Sequence, residues 1–357
     1  MVRREKMQND ELVLEELRGL RETMKAMMVE GGDWEAYALR VFRFQARQNP
    51  TYRRFVELRD IQPEQVGSVL DIPFLPVEFF QSHRISVLSE SFAMPIVFRS
   101  SGTTGQRPSQ HFVDDAQWYR EVTTLGYRGL FGSFDQVKFF GVLPGYLERS
   151  DASLVHMVRD FMVLAGQSQP ADDFFKKDFN QLEARLDALN AECAPTTEVV
   201  VVGVTHALLE WSNRITSRAD RWPNLVIRIV ETGGMKGHGK ERIREEVHAA
   251  LAPLSTNGQI GSEYGMTELL SQAWSKENGV FHAPPWMRVY CGSLNDPGSW
   301  VSTGRQGRIH VMDLANLASC AFLATGDIGR SHENGTFEVL GRFDHAEVRG
   351  CNLMSFE

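Results

Sequence analysis

From about residue 94 onward the chain alternates short apolar runs with amphipathic helical stretches, and this alternation restricts it to a layered α/β architecture. The runs at 94–98, 137–143, 198–204, 225–231, 258–262, 308–312 and 336–340 read as strands. Between them, 115–130, 153–165, 178–191, 206–217 and 240–251 read as helices. Ahead of this region 9–29 is charged and helical, and Trp34, Tyr37, Ala38, Val41 and Phe42 are spaced for one face of a second helix. Asn49-Pro50 breaks that helix, and the proline-punctuated stretch 72–77 leads into the α/β part. The expected organisation is a helical N-terminal region over 1–92 packed on a core domain over 93–343, followed by a short tail over 344–357.

With 357 residues the chain can bury a large core, and 42% hydrophobic with 24% charged residues is ordinary for a soluble globular protein. A formal net charge of −8 argues against general nucleic-acid binding, because no cationic surplus exists to neutralise phosphates. No stretch approaches the ~20 apolar residues of a membrane span, and 1–20 lacks the apolar segment of a secretory signal. The cysteines at 193, 291, 320 and 351 show no Cys-x-x-Cys spacing, so neither a zinc site nor a disulfide framework is expected. A cytoplasmic setting with free thiols fits best.

The chemistry concentrates in a few glycine-containing segments. Directly after the first strand, 100–108 reads Ser-Ser-Gly-Thr-Thr-Gly-Gln-Arg-Pro. Gly102 and Gly105 allow the backbone to approach an anion, Ser100, Ser101, Thr103 and Thr104 supply hydroxyl donors, and Arg107 adds a charge. Gln106 stands where a Walker A loop needs lysine, so a different nucleotide chemistry is implied. Residues 231–236, Glu-Thr-Gly-Gly-Met-Lys, place Gly233 and Gly234 where a planar ring can lie against the backbone. Residues 261–268, Gly-Ser-Glu-Tyr-Gly-Met-Thr-Glu, offer Tyr264 to stack on a base, Gly265 beside it, Thr267 for a phosphate and Glu268 for Mg²⁺. In 324–330, Asp327 sits in a glycine-flanked turn after an apolar strand and can accept from both hydroxyls of a ribose. Gly341-Arg342-Phe343-Asp344 closes the series. Each segment read alone is equally a polar turn or a capped helix start.

Their order and spacing resemble the core motifs of the adenylate-forming (ANL) superfamily of acyl and aryl ligases. The resemblance spans about 95–350 and implies that superfamily's N-terminal-domain fold with ATP and Mg²⁺ as cofactors. It makes Ser100, Ser101, Gly102, Thr103, Thr104 and Gly105 the cover of the ATP phosphates, joined in the ATP site by Gly233, Gly234, Tyr264, Gly265, Thr267, Asp327 and Arg342. Glu268 becomes the Mg²⁺ ligand, and 341–344 the hinge to a further domain that carries a lysine for adenylation.

In this sequence no such domain follows, and Lys236 and Lys240 are the cations nearest to hand. A few residues past the hinge stands Arg349-Gly350-Cys351. An acyl adenylate is a reactive mixed anhydride and a thiolate attacks it readily, with Arg349 favouring the thiolate. Cys193, Cys291 and Cys320 lie in or near apolar runs and read as packed residues. This arrangement resembles the LuxE-type acyl-protein synthetases of bacterial fatty acid reductase systems, as does 143–155, Leu-Pro-Gly-Tyr-Leu-Glu-Arg-Ser-Asp-Ala-Ser-Leu-Val. The resemblance implies activation of a medium- or long-chain fatty acid, transfer to Cys351 as a thioester and hand-over to a partner reductase. Cys351, Glu268 and Arg342 are then the catalytic residues, while His206 and His238 stay unassigned. Two other readings remain: a ligase that passes its adenylate to coenzyme A or a carrier protein, and a catalytically silent nucleotide-binding subunit.

Overall fold

The computed structural model describes residues 2–101, 107–144, 149, 151–192, 196–215, 221–233, 242–296 and 298–342, with side chains from residue 8. In chain order its helices are α1 (Val2–Glu30), α2 (Trp34–Gln48), α3 (Pro50–Glu57), α4 (Phe79–Ser82), α5 (Ala116–Phe131), α6 (Ser153–Leu164), α7 (Phe179–Glu192), α8 (Thr205–Arg214) and α9 (Arg244–Leu251). The strands are β1 (Leu75–Pro76), β2 (Ile96–Arg99), β3 (Gln110–Val113), β4 (Val137–Val142), β5 (Phe174–Phe175), β6 (Thr197–Val204), β7 (Leu225–Thr232), β8 (Ile260–Tyr264), β9 (Ala273–Ser275), β10 (Val280–Phe281), β11 (Met287–Gly292), β12 (Gly307–Asp313), β13 (Phe322–Ser331) and β14 (Phe337–Arg342). Two compact units result: one joins 1–93 to 285–357, and the other is 94–284. Among the described residues no helix is long and apolar enough to cross a membrane.

The unit over 94–284 is built on a sheet of order β5-β4-β6-β7-β8-β9. Strands β5, β4, β6, β7 and β8 run parallel and β9 antiparallel. Val199, Val200, Val201 and Val202 of β6 are all buried, as a central parallel strand covered on both faces requires. Helix α5 starts where the Asp115 carboxylate accepts from the Gln117 and Trp118 amides. Its Tyr127 enters a filled aromatic core with Phe134, Phe139, Phe161 and Trp274, ring centroids 5.0–5.5 Å from its own.

The other unit joins the N-terminal helices to β11–β14. Helices α2 and α3 meet at Asn49, which ends one and caps the other by accepting from the Thr51 and Tyr52 amides, with Pro50 in the first turn. The fully buried Gln45 donates to the carbonyls of Asn316 and Leu317 and accepts from the Ala321 amide. Asn49 donates to the Ser319 carbonyl at 3.0 Å. Polar atoms buried this deeply must be paired, so these amides lock the helices to the turn before β13. Strand β1 pairs with β13 in parallel at Leu323 and Ala324. Strands β11–β14 thus belong to one compact unit with the N-terminal residues.

Candidate functional site

The parallel strands β7 and β8 end side by side, with Glu231 opposite Ser262 and Thr232 opposite Glu263. Strand alternation sends Glu231 and Ser262 to one face of the sheet and Thr232 and Glu263 to the other. On the first face Glu231, only 8% exposed, accepts from the hydroxyls of Thr205 at 2.6 Å and Ser262 at 2.7 Å, and His248 Nε2 lies 3.8 Å away. Burial opposes charge on Glu231, but the nearby His248, the hydrogen bonds from Thr205 and Ser262 and the nearby Arg244 outweigh it and hold the carboxyl below its ordinary value. On the second face the Thr232 hydroxyl donates to Glu263. Removing the charge alone, in Glu231→Gln, is expected to lower stability by about 2 kcal/mol, read as a shift of the urea midpoint at unchanged slope.

Two glycines shape this edge. Gly233 turns the chain out of β7 at φ +77°, in the left-handed region. At Gly265 a Cβ would run into the Glu263 carboxylate and come within 3.2 Å of Gln272. Beyond it, 266–272 form the connection to β9, and Tyr264 pairs with Ala273 across it. Tyr264 is buried, its ring 5.8 Å from that of Phe281. Thr267 is half-buried, and its carbonyl is bonded at 2.7 Å to Nδ1 of His111, a buried residue of β3. Glu268 is buried at 8% exposure. Among the described residues no group of three His, Cys, Asp or Glu could hold a metal. A single carboxylate suits a Mg²⁺ that arrives with a nucleotide and takes its other oxygens from phosphate and water.

The hydroxyl-rich run begins at the end of a hairpin. Strands β2 and β3 pair antiparallel, and Ser100 and Ser109 extend them: the Ser100 amide donates to the Ser109 carbonyl and the Ser109 amide to Ser100 Oγ. Ser100 is thus engaged in closing the hairpin, and Ser101 beyond it is exposed. Gly102, Thr103, Thr104, Gly105, Gly234 and Cys351 lie outside the described residues, as do Cys193, Lys236, His238, Lys240, Arg349 and Asp344.

In the other unit Asp327 lies within β13 rather than in the turn expected from its flanking glycines. Arg308 pairs with Ile328 and His310 with Ala324, so Ile309 alone faces the three residues Thr325, Gly326 and Asp327. This bulge absorbs the irregular stretch without ending the strand. The Thr325 hydroxyl pins it by donating to the Ile309 carbonyl while accepting from the Asp327 amide. Gly341 and Arg342 likewise belong to β14, and Arg342 pairs directly with Asp327, Nε to Oδ1 at 3.6 Å. Arg342 is exposed and Asp327 half-buried. Cys291 and Cys320 are buried, as expected, and burial raises both thiols, that of Cys320 to about 12.

Residue type alone does not single out Thr205, Glu231, His248 or His111. Of these only Glu231 carries a local signal, a carboxylate closing an apolar strand. The others are recruited from separate elements.

No protein-family profile matches the chain, and no curated protein matches it in sequence. Solved structures do. A 2-hydroxyisobutyryl-CoA ligase in an open conformation, in complex with 2-HIB-AMP and CoA, matches at TM-score 0.60 and 15% identity over 90% of this chain and 75% of its own. The same ligase in a postadenylation state matches at TM-score 0.58, 13% identity, 87% and 68%. ATP-bound MatB from Rhodopseudomonas palustris matches at TM-score 0.48 and 15% identity over 72% of this chain. The chain spans about half of the length of that MatB structure. The fold is the α/β fold of the N-terminal domain of adenylate-forming enzymes.

Proposed function

We propose that the chain is an ATP-dependent acid–thiol ligase that activates a medium- or long-chain fatty acid as its acyl adenylate and passes the acyl group to Cys351. One observation carries the reading: two glycine-bearing segments meet at the carboxyl ends of adjacent parallel strands, where open α/β sheets bind their ligands, on a fold shared with a ligase crystallised with an acyl-AMP. In the first half-reaction a carboxylate oxygen attacks the α-phosphorus, the bond to the pyrophosphate oxygen breaks and pyrophosphate leaves. Ser101 and the hydroxyl run hold the phosphates, Thr267 adds a donor, and Tyr264 and Gly233 flank the base. Asp327 accepts from the ribose, and Arg342 beside it balances charge. Glu268 would hold Mg²⁺, which supplies charge neutralisation on the phosphates. In the second half-reaction the Cys351 thiolate attacks the acyl carbonyl, the bond to AMP breaks and AMP leaves, the thiol proton having passed to solvent. A reductase that accepts the acyl group from the thioester is the proposed partner, and the cytoplasm the proposed setting.

A second reading, transfer to coenzyme A, is favoured by the CoA in the neighbouring ligase complex. Incubation with ATP, Mg²⁺ and labelled fatty acid separates the two. Fatty-acid-dependent ATP–pyrophosphate exchange with a hydroxylamine-labile label on the polypeptide is expected. Exchange with no label, and acyl-CoA formed on adding coenzyme A, would support the second reading. Absence of exchange with every carboxylic acid tried would sink both.

A further inference from the structure

The segment 143–155 stands out in the sequence but has no part in the chemistry above, and the structure gives one of its residues a definite task. Arg149 donates from Nη2 to the Arg99 carbonyl at 2.9 Å and from Nη1 to the Ser100 carbonyl at 2.8 Å. Its Nε donates to Asp151 Oδ1 at 3.1 Å. The other carboxylate oxygen of Asp151 accepts from Arg99 at 3.2 Å, and the Asp151 carbonyl accepts the Arg99 amide at 2.9 Å. Four of these five nitrogen-to-oxygen contacts end on Arg99 or Ser100, where the first strand of the hairpin runs into the hydroxyl run, and the fifth ties Arg149 to Asp151. A guanidinium held on one edge by a carboxylate presents its remaining N–H groups in a fixed plane.

The two carbonyls it holds belong to consecutive peptides. A trans peptide is planar, with its N–H opposite its C=O. Fixing the Ser100 carbonyl against Arg149 therefore fixes the direction of the Ser101 N–H, which points away from Arg149 on an exposed residue. A cation on the carbonyl also draws electron density through the amide and strengthens the N–H as a donor. We propose that Arg149 is a positioning residue that aims and polarises the Ser101 amide toward the triphosphate of the bound nucleotide, with Asp151 setting the guanidinium plane. This rests on the adenylation reading of the site. It differs from a simple electrostatic role for Arg149, because a lysine would keep the charge but could not span both carbonyls and Asp151 at once.

The test is calorimetric titration of the full chain with Mg·ATP, without an acid substrate, alongside amide hydrogen exchange at Ser100 and Ser109. In Arg149→Ala the dissociation constant for ATP should rise about tenfold or more, the equivalent of one charge-assisted contact. Arg149→Lys should show nearly the same loss, and Asp151→Asn a smaller one. Exchange at both serine amides should quicken about tenfold in the Arg149 variants. If Arg149→Ala fails to fold, Arg149→Lys and Asp151→Asn carry the test. Wild-type affinity in Arg149→Lys would overturn the positioning role in favour of charge alone. Faster exchange with unchanged ATP affinity would overturn the link to the nucleotide. If the wild type itself binds no ATP, the adenylation reading falls and the aim at a triphosphate with it. The exchange data then still decide whether Arg149 holds the hairpin, and unchanged exchange would overturn that as well.

Discussion

Glu268→Gln is expected to slow fatty-acid-dependent ATP–pyrophosphate exchange by about 100-fold or more, the loss typical of removing one charge-stabilising group from a developing transition state. The substitution keeps the shape of the side chain at a buried position. In the proposed reaction it removes the anionic oxygen that would hold Mg²⁺ at the phosphates. Without acyl adenylate the covalent label must disappear as well. Cys351→Ser should behave in the opposite manner: exchange stays near the wild-type rate, because the first half-reaction does not involve the thiol, while the hydroxylamine-labile label is lost. The pair of variants thus divides the reaction at the acyl adenylate. Retention of label in Cys351→Ser would remove that residue as acceptor, and unchanged exchange in Glu268→Gln would remove the metal assignment.

The longer strands of the parallel sheet, β4, β6, β7 and β8, are legible in the sequence because their signal is local. The run at 198–204 is apolar on both faces and ends at a helix, and β6 covers Thr197–Val204. The run at 225–231 corresponds to β7, one residue longer at Thr232. Short or polar strands are not legible: β3 begins with Gln110 and His111, and the bond between His111 and the Thr267 carbonyl joins positions 156 apart. Asp327 reads as a turn residue for a related reason. Thr-Gly-Asp-Ile-Gly has the composition of a loop, yet β12 and β14 pair with the strand on its two sides and a bulge accommodates the excess residues. The discontinuous unit is the least legible feature. Gln45 and Asn49 join helices to a turn some 270 positions later through backbone carbonyls, which every residue has, and such a pairing leaves no pattern in residue types.

Stability is expected to fall by up to about 3 kcal/mol between pH 6.5 and pH 4 through His310 alone. Its ring packs edge-on against those of Phe74 and Trp300, centroids 5.0 Å from each in a cluster where those two are 5.4 Å apart, with Gly292 leaving room beside it. Burial is the largest influence and favours the neutral imidazole. The Arg308 carbonyl, bonded to Nδ1 at 3.0 Å, pulls the other way, and the Arg308 charge adds to burial. Together they bring the folded-state value from 6.5 down to about 4. In the unfolded chain the same ring titrates near 6.5. Above that pH both states carry neutral His310 and its contribution is fully present. As pH falls from 6.5 the unfolded state takes up a proton that the folded state refuses, and stability declines by up to about 1.4 kcal/mol per pH unit. Below about pH 4 both states are protonated and the decline from this group stops. Urea unfolding of wild type and His310→Asn at half-unit intervals from pH 7.5 to pH 4 measures the difference. The variant starts from a lower stability, since asparagine does not fill the aromatic slot, but its curve should be flatter across the window. Parallel curves for the two proteins would show that His310 carries no such linkage.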